Sequence, residues 1–181
     1  MQRLPFLLVL YLLLSACALD GTEGTLDTPL FFDLDGYITA ETDRLAAAKT
    51  VVEKTITLNG ESETKELTDV NFANDLRVFR QADINKPAWR DKYETATEKL
   101  SGNHRIITYL ATDSSLIVRR LLVEEDQGVP VKIEIDRKTG NVLSNGTHQL
   151  VYDPATGYDV ITKEITRFGE DVDAKITVRW Q

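Results

Sequence analysis

Val172-Asp173-Ala174-Lys175-Ile176-Thr177-Val178-Arg179-Trp180 alternates apolar and polar side chains along its whole length. Successive side chains of a strand point to opposite faces, so Val172, Ala174, Ile176, Val178 and Trp180 belong to a core face and Asp173, Lys175, Thr177 and Arg179 to water. One wet face marks an antiparallel sheet, since parallel strands are buried on both sides. The same alternation recurs upstream, where Val131, Ile133 and Ile135 oppose Lys132, Glu134 and Asp136. Working back from the C-terminus, strands are expected over 93–100, 105–111, 116–124, 131–135, 149–152, 158–166 and 172–180, with a short piece near 141–143. Turn residues punctuate them at short intervals, the mark of a meander. Asp136-Arg137-Lys138-Thr139-Gly140 and Asp153-Pro154-Ala155-Thr156-Gly157 share a spacing that suits hairpins with a type I turn and a left-handed glycine.

Upstream of Trp89 the period changes. Thr28-Pro29 has the form of a helix N-cap followed by proline at the first helical position. A helix is expected over 29–48, with Phe31, Leu34, Ile38 and Leu45 in one sector at 100° per residue; Gly36 costs it about 1 kcal/mol against alanine. Val51 to Leu58 and Glu63 to Leu67 are β-rich arms around Asn59-Gly60, the dipeptide suited to a type I′ hairpin. Asp69 can cap a second helix carrying Phe72, Leu76 and Phe79 and ending before Asn85-Lys86-Pro87. The expected class is α+β: a single domain of two helices packed on a mainly antiparallel meander sheet, in the order helix, hairpin, helix, meander.

The front of the chain carries an address. Met1-Gln2-Arg3 supplies one positive charge, and Leu4 to Leu14 is apolar apart from Pro5, too short for a permanent span but suited to a signal-peptide core. Leu14-Ser15-Ala16-Cys17 resembles the lipobox of bacterial lipoproteins. That resemblance implies diacylglycerol on the Cys17 thiol, cleavage just before it, and acylation of the new amine. Two or three acyl chains on Cys17 give stable anchoring where one alone binds only marginally. Residues 1–16 then form the signal peptide, 17–28 a polar, acidic tether, and 29–181 the globular domain. Ala18 is not the aspartate of the enterobacterial inner-membrane retention signal, so the resemblance points to the outer membrane. The chain has a formal net charge of −8, and loss of Arg3 with the signal makes the mature form one unit more negative. Such a charge argues against nucleic acid and against a polybasic grip on anionic lipid, leaving the acyl chains on Cys17 as the contact with the membrane. Cys17 is the single cysteine, so no disulfide braces the fold.

The body is similar to small lipoproteins of the Bacteroidota at Phe31-Phe32-Asp33-Leu34 and Asn85-Lys86-Pro87-Ala88-Trp89, a resemblance that implies no particular activity. Lys132 to Val142 resembles the strand-turn-strand of PepSY-type periplasmic modules. Leu30-Phe31-Phe32-Asp33-Leu34-Asp35-Gly36 looks like the first motif of haloacid-dehalogenase-type phosphatases. There Asp33 would attack phosphorus and Asp35 would serve as acid and base, with Mg²⁺ neutralising the phosphate. Ile106 to Thr112 and Gly169 to Asp173 can be stretched into the second and fourth motifs. Against this stands the meander, because the chemistry needs parallel strands whose carboxyl ends bring the motifs together. On a helix, moreover, Asp33 and Asp35 lie about 200° apart and cannot converge on one phosphate.

Other constellations are thin. His104 and His148 are the only histidines, have no second ligand at metal spacing, and read as solvent-facing or capping residues. No nucleophile elbow is present, Ser114-Ser115 lies in an expected turn, and Asn145-Gly146-Thr147 reads as a turn as well. Glu124-Glu125-Asp126 reads as a solvated hairpin end, with too few ligands for Ca²⁺. The function expected is therefore a membrane-anchored, non-enzymatic binding or assembly module of the cell envelope, with no cofactor, no metal and an envelope protein as partner. The alternatives are a periplasmic carrier of an apolar ligand or lipid, since a curved sheet roofed by helices resembles the layout of lipoprotein-sorting proteins, and then a phosphatase using Asp33 and Asp35.

Overall fold

The computed structural model describes residues 29–181. The signal peptide, the Cys17 lipidation site, the tether and the expected Thr28 cap lie outside the described residues. The fold is mostly β: a nine-stranded antiparallel sheet accompanied by a few short helices. In chain order the elements are α1 (Leu34–Ala47), β1 (Val52–Leu58), β2 (Glu61–Leu67), α2 (Phe72–Asp75), α3 (Arg77–Arg80), a 3₁₀ turn (Pro87–Trp89), β3 (Tyr93–Ser101), β4 (His104–Ala111), β5 (Val118–Asp126), β6 (Val129–Gly140), β7 (Ser144–Asp153), β8 (Gly157–Thr166) and β9 (Val172–Trp180). Across the sheet the strands run β2-β1-β9-β8-β7-β6-β5-β4-β3. The first hairpin is thus joined to the meander through the last strand, with Val52 opposite Trp180 and Leu58 opposite Ala174.

The core lies between one face of this sheet and the helices. Leu34, Ile38 and Leu45 of α1, Leu76 and Phe79 beside them, and Leu121, Ile133, Ile135, Leu150 and Tyr152 from the sheet are all buried. Rings interlock there edge to face, Phe79 against both Tyr152 and Tyr158 with centroids 5.7 Å apart, and Phe72 against Trp180. Two polar tips are held at the margin: the Tyr152 hydroxyl donates to Glu41 Oε2 at 2.7 Å, and Tyr158 donates to Asp75 at 2.9 Å. The opposite face is wet and self-paired. Arg120 bonds both Asp136 and Glu134, Arg179 bonds Asp159, and Thr55 and Thr57 of β1 bond Thr64 and Ser62 of β2.

Several local expectations are corrected. The first helix begins at Leu34, capped by Asp33, and not at Pro29. Residues 31 and 32 are held away from helical geometry by long-range bonds: the Phe31 amide donates to Asn85 Oδ1, the Phe32 amide to the Tyr109 hydroxyl, and Asn85 Nδ2 to the Phe32 carbonyl. Phe31 is buried all the same, against Tyr93 and Tyr109. The second helix is two single turns that meet at Leu76, and Asn71 rather than Asp69 caps the first of them through its bond from the Asn74 amide. Asp136 to Gly140 is strand, not turn. β6 continues through it because Arg137, Lys138, Thr139 and Gly140 pair with His148, Thr147, Gly146 and Asn145. The reversal falls at 141–143, where Asn141 Oδ1 accepts from the Leu143 and Ser144 amides, so no strand lies there. Its partner in sequence, Asp153 to Gly157, is a turn as expected: Asp153 Oδ1 accepts from the Ala155 and Thr156 amides and Gly157 has φ +139°. Asn59 and Gly60 both have positive φ, the requirement of a type I′ hairpin.

Candidate functional site

β5 to β9 contribute alternate side chains to the helix side of the sheet, but the helices roof only part of it. Beyond their reach, the register lines up five side chains in one row. Arg137 of β6 is opposite His148 of β7, His148 opposite Thr162 of β8, Thr162 opposite Ala174 of β9, and Ala174 opposite Leu58 of β1. At about 4.8 Å per strand the row runs roughly 19 Å from a guanidinium to an isobutyl group. One step towards the helices runs a parallel apolar row, Ile135, Leu150, Val160, Ile176 and Ile56. Its β6 end is buried, whereas Ile56 and Leu58 are 46% and 52% exposed.

The polar half of the row is built closely. Thr139 Oγ1 and His148 Nε2 are 3.0 Å apart, and His148 Nδ1 and Thr162 Oγ1 are 3.1 Å apart, so the imidazole is held between two hydroxyls. Gly146 makes this possible, because a Cβ there would lie 2.8 Å from Thr139 Oγ1 and 3.1 Å from His148 Nε2. Burial pushes the His148 imidazole below its ordinary range, and the Arg137 charge pushes it the same way while Glu164 opposes both. Burial and the Arg137 charge thus both favour the neutral imidazole, and Arg137 carries the charge of the pair.

Arg137 differs from the ion-paired arginines of this fold. Arg44, Arg80, Arg105, Arg120 and Arg179 each pair with a carboxylate. Among the described residues Arg137 has no such partner, and its Nε is shielded from water without a hydrogen bond. Burial lowers its pKa from the usual arginine range. An unmet buried donor costs about 1–3 kcal/mol, so Arg137 is a group awaiting an acceptor. Beside it, where the segment between β4 and β5 leaves the sheet, Ser114, Ser115, Ile117, Lys138, Thr139, Gly140, Asn141, Val142 and Asn145 line an open notch of about 680 Å³. The notch adjoins the row at Thr139.

The residues singled out in the sequence are placed elsewhere. Asp33 Oδ1 accepts from the Gly36 amide at 2.9 Å as the α1 cap, and Asp35 pairs with Arg80 at 2.7 Å. Ile106 to Ala111 are in β4 and Gly169 to Asp171 in the β8–β9 turn, where Asp171 accepts from the Thr166 amide and Asp173 from its own amide donates to Asn59. The structure does not gather these segments at the C-terminal ends of parallel strands. His104 lies on the wet face, part-exposed and bonded to Glu124 at 2.8 Å, and His148 belongs to the row. Glu124 to Asp126 lies at the hairpin end of β5, as expected, but Glu125 there is 6% exposed and bonded by Arg105 at 2.7 Å. No cluster of His, Cys, Asp and Glu able to hold a metal ion occurs among the described residues. No helix among them is long and apolar enough to cross a membrane.

The sequence expectation ends β6 at Ile135 and starts β7 at Gln149, which leaves Arg137 outside any strand and His148 beside one, so their alignment with Thr162 is not legible. The signal was nonetheless present: Arg137 and Thr139 continue the inward phase of Ile133 and Ile135, and His148 that of Leu150 and Tyr152. A comparison with protein families, curated proteins and solved structures finds no match for this chain.

Proposed function

We propose that this chain is an outer-membrane lipoprotein, anchored by acyl chains on Cys17, whose residues 29–181 form a non-enzymatic binding or assembly module of the cell envelope. The observation that favours binding over carriage is the filled space between helices and sheet. Leu34, Ile38, Leu76, Phe79, Ile84, Leu121, Ile133 and Ile135 are fully buried and touch no space that a water molecule could enter. A carried lipid would have to displace them, whereas the unroofed half of the sheet is open to a partner without rearrangement. In this reading the two-layer α+β layout of helix, hairpin, helix and meander closes one half of the sheet and leaves the other free. Asp33 and Asp35 serve the helix end and an ion pair, which gives the phosphatase alternative no support.

Fractionation tests the anchor. Cys17→Ala is expected to lose acyl label and to leave washed outer membranes for the soluble fraction, because a polar tether supplies no other grip. Continued sedimentation with membranes would refute it. For the binding module, organic extracts of the purified protein should contain no stoichiometric lipid, and the protein should leave a phosphomonoester with Mg²⁺ intact. A stoichiometric lipid would put the carrier in its place, and turnover lost in a folded Asp33→Ala variant would put the phosphatase there.

A further inference from the structure

The row Arg137–His148–Thr162–Ala174–Leu58 has a charge at one end only. On one side of Arg137 the sheet continues into hydroxyls, a methyl group and then exposed Leu58 and Ile56. On the other lie Val118 and the segment that closes on β6 through the bond from the Lys138 amide to the Ile117 carbonyl. The complement of such a row is a chain whose anionic group is terminal and whose remainder is apolar. Two chemistries have that form, a fatty acid and the carboxyl terminus of a protein. An acyl chain requires enclosure, since apolar ligands keep little of their surface in water, and this face is unroofed with Ile56 and Leu58 about half exposed. A protein brings the other wall with it. The length agrees, because roughly 19 Å accommodates about six residues in extended form.

We infer that the unroofed half of the sheet is the docking surface for a protein partner, which seats its C-terminal carboxylate on Arg137 and lays apolar side chains over Ala174, Ile176, Ile56 and Leu58. This rests on the reading of the chain as a binding module and names the class of partner. The carboxylate satisfies the unpaired guanidinium in the bidentate geometry that arginine favours, with His148, held between Thr139 and Thr162, on the neighbouring strand. The rest of the molecule discourages alternatives. A formal net charge of −8 repels acidic surfaces in general, and the far face of the sheet has already paired its own charges. Arg137 thus marks one place where an anion is welcome, which selects for a terminus and against an acidic domain.

The test is a titration of the mature chain, residues 17–181 with Cys17→Ala, followed through the Arg137 Nε–H and His148 ring resonances. The probes are an N-acetylated pentapeptide of sequence GTIVL as free acid, the same peptide as C-terminal amide, and dodecanoate. The free acid is expected to bind, to shift both resonances and to raise the His148 pKa by neutralising the nearby charge; the amide should bind at least tenfold more weakly. Arg137→Gln should make the two peptides equivalent, Arg137→Lys should retain part of the preference, and Leu58→Ser should weaken both peptides several-fold. Unchanged circular dichroism and thermal midpoint show that the variants are folded. Equal binding of acid and amide to the wild type overturns the inference, as does the absence of shifts at millimolar peptide. Preference for dodecanoate would overturn it in favour of an amphiphile. Concentration-dependent shifts without any probe would overturn it in favour of a second copy of this chain. None of these outcomes changes where Cys17→Ala fractionates or what lipid co-purifies, so the inference can fail while the module reading stands.

Discussion

Asp33 and Gly36 should be coupled, so that the effect of one mutation depends on whether the other is present. The Asp33 side chain accepts the Gly36 amide at 2.9 Å, and a Cβ placed on Gly36 would lie 2.2 Å from Asp33 Oδ2 and 2.8 Å from its Cγ. Asp33→Ala removes the cap of α1 and should cost about 1 kcal/mol. Gly36→Ala in that background meets no carboxylate, reduces the entropy lost by glycine on folding, and should restore roughly 0.5–1 kcal/mol. In the wild type the same Gly36→Ala forces the carboxylate to rotate away, so loss of the cap offsets the gain and the net change is near zero. The expected coupling is therefore about 1 kcal/mol. Urea unfolding of the four proteins, with Cys17→Ala throughout for solubility, measures it from midpoints at constant slope. Equal stabilisation by Gly36→Ala in both backgrounds would refute the capping role and reopen the question of what Asp33 does.

Three further outcomes follow from other parts of the fold. Leu34→Ala, at a fully buried site under the sheet, should cost about 2–5 kcal/mol in the same unfolding assay, and a loss below about 1 kcal/mol would contradict its place in the core. Gly60 and Gly157 both have positive φ, but a Cβ at Gly157 would lie 1.9 Å from the Val178 carbonyl while nothing approaches one at Gly60; Gly157→Ala should therefore be more destabilising than Gly60→Ala by at least about 2 kcal/mol. Burial alone would raise the Glu41 pKa, yet hydrogen bonds from Arg44 and Tyr152 outweigh it and hold the carboxyl below its ordinary 4.5. Its contribution is complete above that value and lost as pH falls through the lower, folded value, so Glu41→Gln should flatten part of the stability decline below about pH 4.5; an unchanged acid limb would refute this.

What could be read from the chain depended on how local the determinant was. Period-two alternation in 172–180 needs no partner to be recognised, and Asn59-Gly60 carries its turn geometry in two residues. Two pentapeptides of the same form, Asp136 to Gly140 and Asp153 to Gly157, diverged because pairing with β7 carries the first through as strand. Asn85 likewise took residues 31 and 32 out of the helix from far along the chain. The row beginning at Arg137 was the least legible feature, since five strands supply one side chain each and only the register sets them side by side. An arginine in phase with Ile133 and Ile135 was its visible trace.

The interior position of β9 has a consequence for how the chain acquires its structure. β9 follows all the other described elements in the chain, yet it holds the first hairpin to the meander, with β1 on one side and β8 on the other. Until Trp180 meets Val52, the hairpin has no sheet to join, and two strand edges that end up paired remain open. Closing that contact spans most of the sequence, so loop entropy places it late and makes it slow relative to the neighbouring hairpins of β3 to β8. Loss of the β9 residues around Trp180 would accordingly do more harm than loss of either edge strand, detaching β1 and β2 and leaving sticky edges in the middle of an otherwise finished sheet.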